Sequence, residues 1–211
     1  MFNKVKEALN GDAANRKTER TVFWIILVSA LAALSAAFVL SLEKIHLLQN
    51  PDAILSCSIN VVLNCSTVMQ SWQSHVFFDI PNMYIGLMAF PVIVTVAVAG
   101  LWGAKFPKTF LVTANVGVLL GTIFSYWLFF NSLYVIQVLC PWCLIVTTSC
   151  TFMLAAFTHL NLKQNNFNFK KKVNEKIQKF LKAGFHQLVV ASWLVLMVIL
   201  VVVQFGEALF A

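Results

Sequence analysis

The stretch VLCPWCLIVTTSCTFMLAAFTHL, residues 138–160, decides the fold. It contains no Asp, Glu, Lys or Arg. About 20 apolar residues in a helix cross the ~30 Å hydrocarbon core of a bilayer, so the stretch reads as a transmembrane span. Its mouth carries Cys140-Pro141-Trp142-Cys143. A Cys-x-x-Cys is a thiol redox pair or half of a zinc site.

Working outward from it, four more uncharged stretches of similar length appear, at 21–42, 83–103, 109–131 and 186–206. The chain is 60% hydrophobic and only 11% charged, with mean hydropathy +0.81, which excludes an ordinary soluble domain. The first stretch includes ALSAA, which resembles a signal-peptide cleavage site. A signal's apolar region is only ~7–15 residues long, however, and this one reads as a retained helix. The expected architecture is an all-α membrane protein: a four-helix transmembrane bundle with a fifth, peripheral span. Small residues in the first span, including Ser29, Ala30, Ala33 and Ala37, permit close helix contact.

The net charge of +7 follows the topology. Fourteen of the 15 basic residues lie before the first span, between the second and third, or between the fourth and fifth. The other side keeps only Lys44. By the positive-inside rule, segment 1–20 is cytoplasmic. The loop 43–82, the turn 131–137 and the tail 207–211 are then outside. Nucleic-acid binding is a poor explanation of this charge, because the basic residues are spread over membrane-flanking segments. Within the connector 161–185, Val173, Ile177, Phe180 and Leu181 recur at helical spacing among lysines. That pattern predicts a basic amphipathic helix on the cytoplasmic leaflet.

The five cysteines sort by side. Cys57 and Cys65 lie in the outer loop, and Cys140 and Cys143 where the fourth span emerges on that same side. Cys150 lies deeper in that span and reads as a small buried hydrophobe. The four outer cysteines admit three readings: two structural disulfides, a zinc site, or a relay in which one pair passes electrons to the other by thiol–disulfide exchange. Helix geometry favours the relay. Pro141 suits the first helical turn. Cys140 sits at the positive helix end, which stabilises a thiolate. Cys143 lies on the same face, about 4.5 Å deeper, where a lipid-soluble carrier reaches it. Membrane quinone is the obvious candidate. Reduced Cys57 and Cys65 are then expected to react with a membrane-impermeant thiol reagent, and Cys140 more weakly beneath the loop.

CSINVVLNCS (57–66), IPNMYIG (80–86) and CPWC (140–143) together resemble the vitamin K epoxide reductase family over roughly residues 20–160, and more closely its bacterial homologues. The resemblance implies a domain at 21–160 and an oxidoreductase in a bacterial cytoplasmic (inner) membrane. It implies a catalytic relay from a thioredoxin-like partner to Cys57 and Cys65, then to Cys140 and Cys143, then to menaquinone or ubiquinone. Cys65 exchanges with Cys140. The resemblance places Asn82, Cys143 and Ser66 at the quinone, and matches Gly86 to a glycine of the same helix. No metal is implied. The sequence departs from the vertebrate enzymes at Thr147, where they carry tyrosine, which counts against vitamin K epoxide as substrate. Five residues follow Gly206, so the thioredoxin-like partner is expected to be a separate protein. The alternative of another class is a non-enzymatic membrane scaffold stapled by disulfides.

Other residues stay open at this level. Asn82 also suits a helix N-cap. Phe77 and Phe78 read equally as a lid or as interfacial anchors. Trp142 reads as an anchor or as cover for the site. His75 reads as a surface residue or an acid/base, and Asp79 as a turn cap or an ion-pair partner.

Overall fold

In the computed structural model the backbone is described for residues 2–50, 55–58 and 62–210, and side chains from residue 17 to 206 except 51–54, 59–61 and 182. The side chains of Lys4, Lys6, Arg16 and Lys182, and those of the tail 207–211, lie outside the described residues. Seven α-helices follow in chain order: α1 (Phe2–Gln49), α2 (Cys65–Gln70), α3 (Asn82–Leu101), α4 (Lys108–Asn131), α5 (Pro141–Lys163), α6 (Lys171–Lys182) and α7 (Phe185–Phe210). A 3-10 turn, Trp72–His75, follows α2, and a π turn, Ser132–Ile136, follows α4. Five of the helices are long and apolar enough to cross a membrane. This is an all-α membrane protein.

α1 is the central helix, packing on α3 and α5, while α5 packs on α4. The small residues of α1 explain its position. Ser29, Ala30, Ala33, Ala36 and Ala37 are all buried against the neighbouring helices, where van der Waals contact rather than water exclusion holds a membrane bundle together. Ser35 faces outward, away from the seam. α7 stands at the periphery. It is fastened to α4 by Trp193, whose Nε1 donates to Tyr126 Oη at 2.7 Å, and to α5 by His186, whose ring lies 4.7 Å from that of His159.

Element ends depart from the composition-based spans, for physical reasons. α1 continues past Leu42 to Gln49, because charge ends a hydrocarbon span without ending a hydrogen-bonded helix. Leu47 in this extension is buried. Residues 131–137 are not a simple turn, since the π turn prolongs α4 and closes at Gln137 with φ +56°. α5 starts at Pro141 rather than Val138. Leu139 is held in extended pairing with the loop, and Cys140 is the N-cap with extended backbone. The basic amphipathic stretch is helical as α6, and its Gln178 Nε2 donates to the carbonyls of Leu162 and Lys163, capping the end of α5.

Candidate functional site

The loop after α1 folds back over the bundle. Backbone pairing fastens it there: Leu139 N–H donates to Val62 O at 2.7 Å and Asn64 N–H to Leu139 O at 3.0 Å. Asn64 then caps α2, accepting from the N–H groups of Ser66 and Thr67. Lys44 Nζ donates to Met69 O at 3.1 Å, satisfying a carbonyl near the other end of α2. Ser56 donates to Glu43 of α1 through both Oγ and backbone N–H. The outcome is positional. Cys65, the first residue of α2, is brought beside Cys140, the residue before α5.

Cys57 and Cys65 form a disulfide with Cα atoms 5.7 Å apart. Cys140, Cys143 and Cys150 are free thiols. Cys65 Sγ lies 3.2 Å from Cys140 Sγ. These sulfurs are enclosed by Leu40, Leu47, Leu55, Met69 and Met83, with Trp142 packed against the same cluster. Cys57, Cys65 and Cys140 are only 4%, 0% and 2% exposed. With the loop pair joined as a disulfide, the closed loop covers its own cysteines. Cys140 lies just ahead of the α5 span. A hydrogen bond from the Cys143 thiol, helped by the backbone N–H groups of Cys143 and Trp142, holds its thiol below the ordinary value against the opposing effect of burial.

Cys143 faces a cavity of about 220 Å³ between the helices and the loop. Gln73 and Phe77 line it from above, Asn82 and Gly86 from α3, Phe124 from α4 and Cys143 from α5. The Phe77 ring lies 5.1 Å from that of Phe124, tilted by 57°, while Phe78 is 94% exposed. Phe77 lines the cavity and Phe78 points away from it. Asn82 is not an N-cap, because Pro81 takes that position. Its Nδ2 donates to Gln73 O at 2.7 Å. Ser66 does not line the cavity, and its hydroxyl donates to Asn64 at 2.6 Å instead. Thr147 lines the cavity and donates back to Cys143 O at 3.0 Å. His75 bonds Ser74 and lies 3.5 Å from Asp79, off the cavity. Gln73 carried no sequence signal. It is one polar residue in a short loop without periodicity, and only the fold turns it inward.

The family model described as the vitamin K epoxide reductase family matches residues 24–158. The chain belongs to this family. No curated protein and no solved structure matches it. Vitamin K epoxide reductase family members are oxidoreductases of quinone-linked thiol chemistry, and the matched region holds both cysteine pairs and the cavity. The residues fit such a ligand. The walls are apolar and aromatic, as a flat ring requires, and two buried oxygens, Gln73 Oε1 and Asn82 Oδ1, have no hydrogen-bond partner there.

Proposed function

We propose that the protein is a quinone-dependent thiol oxidase that generates disulfides in a thioredoxin-like partner on the outer face of a bacterial cytoplasmic membrane. One observation carries this reading: Cys65 Sγ stands 3.2 Å from Cys140 Sγ, while Cys143, one helical turn on, borders the apolar cavity. Two independent structural bridges would have no need of sulfurs from both pairs in contact.

The partner's dithiol reduces the Cys57–Cys65 disulfide and is itself oxidised. Cys57 is the receiving residue, and its burial requires the loop around it to move as the partner thiol enters. The Cys65 thiolate attacks Cys140 of a Cys140–Cys143 disulfide, and Cys143 leaves. Cys57 then attacks Cys65, closing that bridge and releasing Cys140. The lowered Cys140 thiol makes this second step easier, because a more acidic thiol is the better leaving group. At the end of this sequence the loop pair is closed and the helix pair is reduced. Quinone supplies an acceptor for two electrons and two protons. Cys140 and Cys143 give these up and re-form their bond. Asn82 and Cys143 are the proposed contacts from the sequence motifs, and Ser66 instead positions Cys65 through the α2 cap. Thr147, already hydrogen-bonded to a backbone carbonyl, offers no special support for an epoxide substrate.

Detergent-purified protein supplied with a reduced thioredoxin-like dithiol is expected to reduce a soluble quinone with equimolar formation of partner disulfide. Cys143→Ala is expected to abolish this turnover. Wild-type protein that consumes no quinone under these conditions overturns the reading.

A further inference from the structure

Most buried polar atoms in folded proteins have a hydrogen-bond partner. Among the described residues four such atoms lack one: Nδ1 of His159 and of His186, and Gln73 Oε1 and Asn82 Oδ1, the last two belonging to residues that line the cavity beside Cys143. Gln73 is 3% exposed, so water does not serve its side chain in bulk. The Asn82 amide has a defined orientation. Its Nδ2 donates to Gln73 O, and turning it over would set two oxygens against each other. Oδ1 is therefore an acceptor held without a donor. The two residues also form one unit, since Asn82 grips the backbone of Gln73.

We infer that Gln73 is a second polar anchor of this cavity, accepting a hydrogen bond from a hydroxyl of a bound aromatic diol, the reduced form of the quinone. The inference rests on the quinone-linked reading above and adds a specificity-determining residue to it. The chemistry follows from donor counting. A quinone brings only acceptor oxygens, which leave a buried acceptor unpaired. The diol brings O–H donors, which satisfy it. In the state with Cys57–Cys65 closed and Cys140 and Cys143 reduced, the cavity thus favours the diol over the quinone. Tighter binding of the reduced form makes the bound acceptor more oxidising, by about 30 mV for each tenfold of preference in a two-electron couple. That draws electrons off Cys143.

The test compares a short-chain naphthalene-1,4-diol with its dimethyl ether, which keeps the ring and lacks the donors. Both are titrated without oxygen into protein reduced throughout, so that binding is read without turnover. Wild type is expected to bind the diol about tenfold more tightly than the ether, the scale of one buried hydrogen bond. Gln73→Met and Gln73→Leu are expected to lose most of that preference. Ligand-free Gln73→Met is expected to melt no lower than wild type, because the atom removed has no partner. An unchanged preference in both variants overturns the inference. So does a lost preference accompanied by a lowered melting point of the ligand-free protein, which marks a structural role. Wild type that reduces quinone while the variants keep the preference defeats only the role of Gln73. Wild type that neither binds the diol nor turns over defeats the quinone reading itself.

Discussion

Cys140 and Cys143 sit three residues apart, yet their surroundings differ in kind. Cys140 is 2% exposed against Cys65, at the helix start, while Cys143 borders the cavity. In the proposed relay this difference divides labour within the pair: one sulfur exchanges with the loop and the other addresses the cavity. In Cys143→Ala, Cys140 has no neighbour with which to re-form its own bridge. A reduced partner with oxidant present is then expected to leave a Cys65–Cys140 mixed disulfide, identified as a cross-linked peptide by mass spectrometry. A dominant Cys57–Cys140 species would reverse the proposed order. The sequence resemblance named these four cysteines. It did not reveal the burial of Cys57, Cys65 and Cys140, which depends on Leu40, Leu47, Leu55 and Met83 closing around them from other parts of the chain.

At the scale of helices, the approach of α3 to α1 depends on the absence of a side chain. A Cβ at Gly100 would collide with the buried ring of Phe23, and one at Gly86 would stand 3.3 Å from Ala37 Cβ. Gly117 of α4 has open space around its missing Cβ. The same substitution should therefore act in opposite directions. Gly100→Ala is expected to destabilise by roughly 1–3 kcal/mol, because Phe23 must leave its packed position. Gly117→Ala is expected to stabilise by up to about 1 kcal/mol through helix propensity. Thermal unfolding in one detergent compares the two. Equal effects would mean that the α1–α3 contact does not set the stability of the bundle. Both glycines read alike in sequence, as small residues in apolar runs, and only the contact separates them.

For the whole molecule, the proposed direction of electron flow depends on which face the cysteines occupy. The native loop cysteines report it poorly, because they are buried. Gln70 at the end of α2 and Lys176 in α6 are both exposed, and three of the apolar spans, α3, α4 and α5, separate them along the chain. In intact cells, a membrane-impermeant maleimide is expected to label Gln70→Cys directly and Lys176→Cys only after the membrane is opened. The reverse pattern would place the relay on the cytoplasmic face, where thiols are kept reduced, and would end the disulfide-forming role. The charge asymmetry behind this expectation, 14 basic residues against Lys44, is a property of composition and needs no coordinates.

The sequence by itself determined the membrane class, five apolar spans and a basic amphipathic helix. Each of these is a local pattern, set by hydrocarbon thickness or by helical period. Its motif resemblance also singled out the four cysteines and Asn82. Tertiary structure decided what those residues meet. The Val62–Asn64 pairing with Leu139 sets Cys65 on Cys140, the tilted contact of Phe77 with Phe124 brings both rings to the cavity wall, and Gln73 is turned into it. It also sent Ser66 to Asn64 and away from the cavity. These outcomes join residues far apart in the chain through backbone hydrogen bonds and ring contacts, and a period read along one segment contains no record of them.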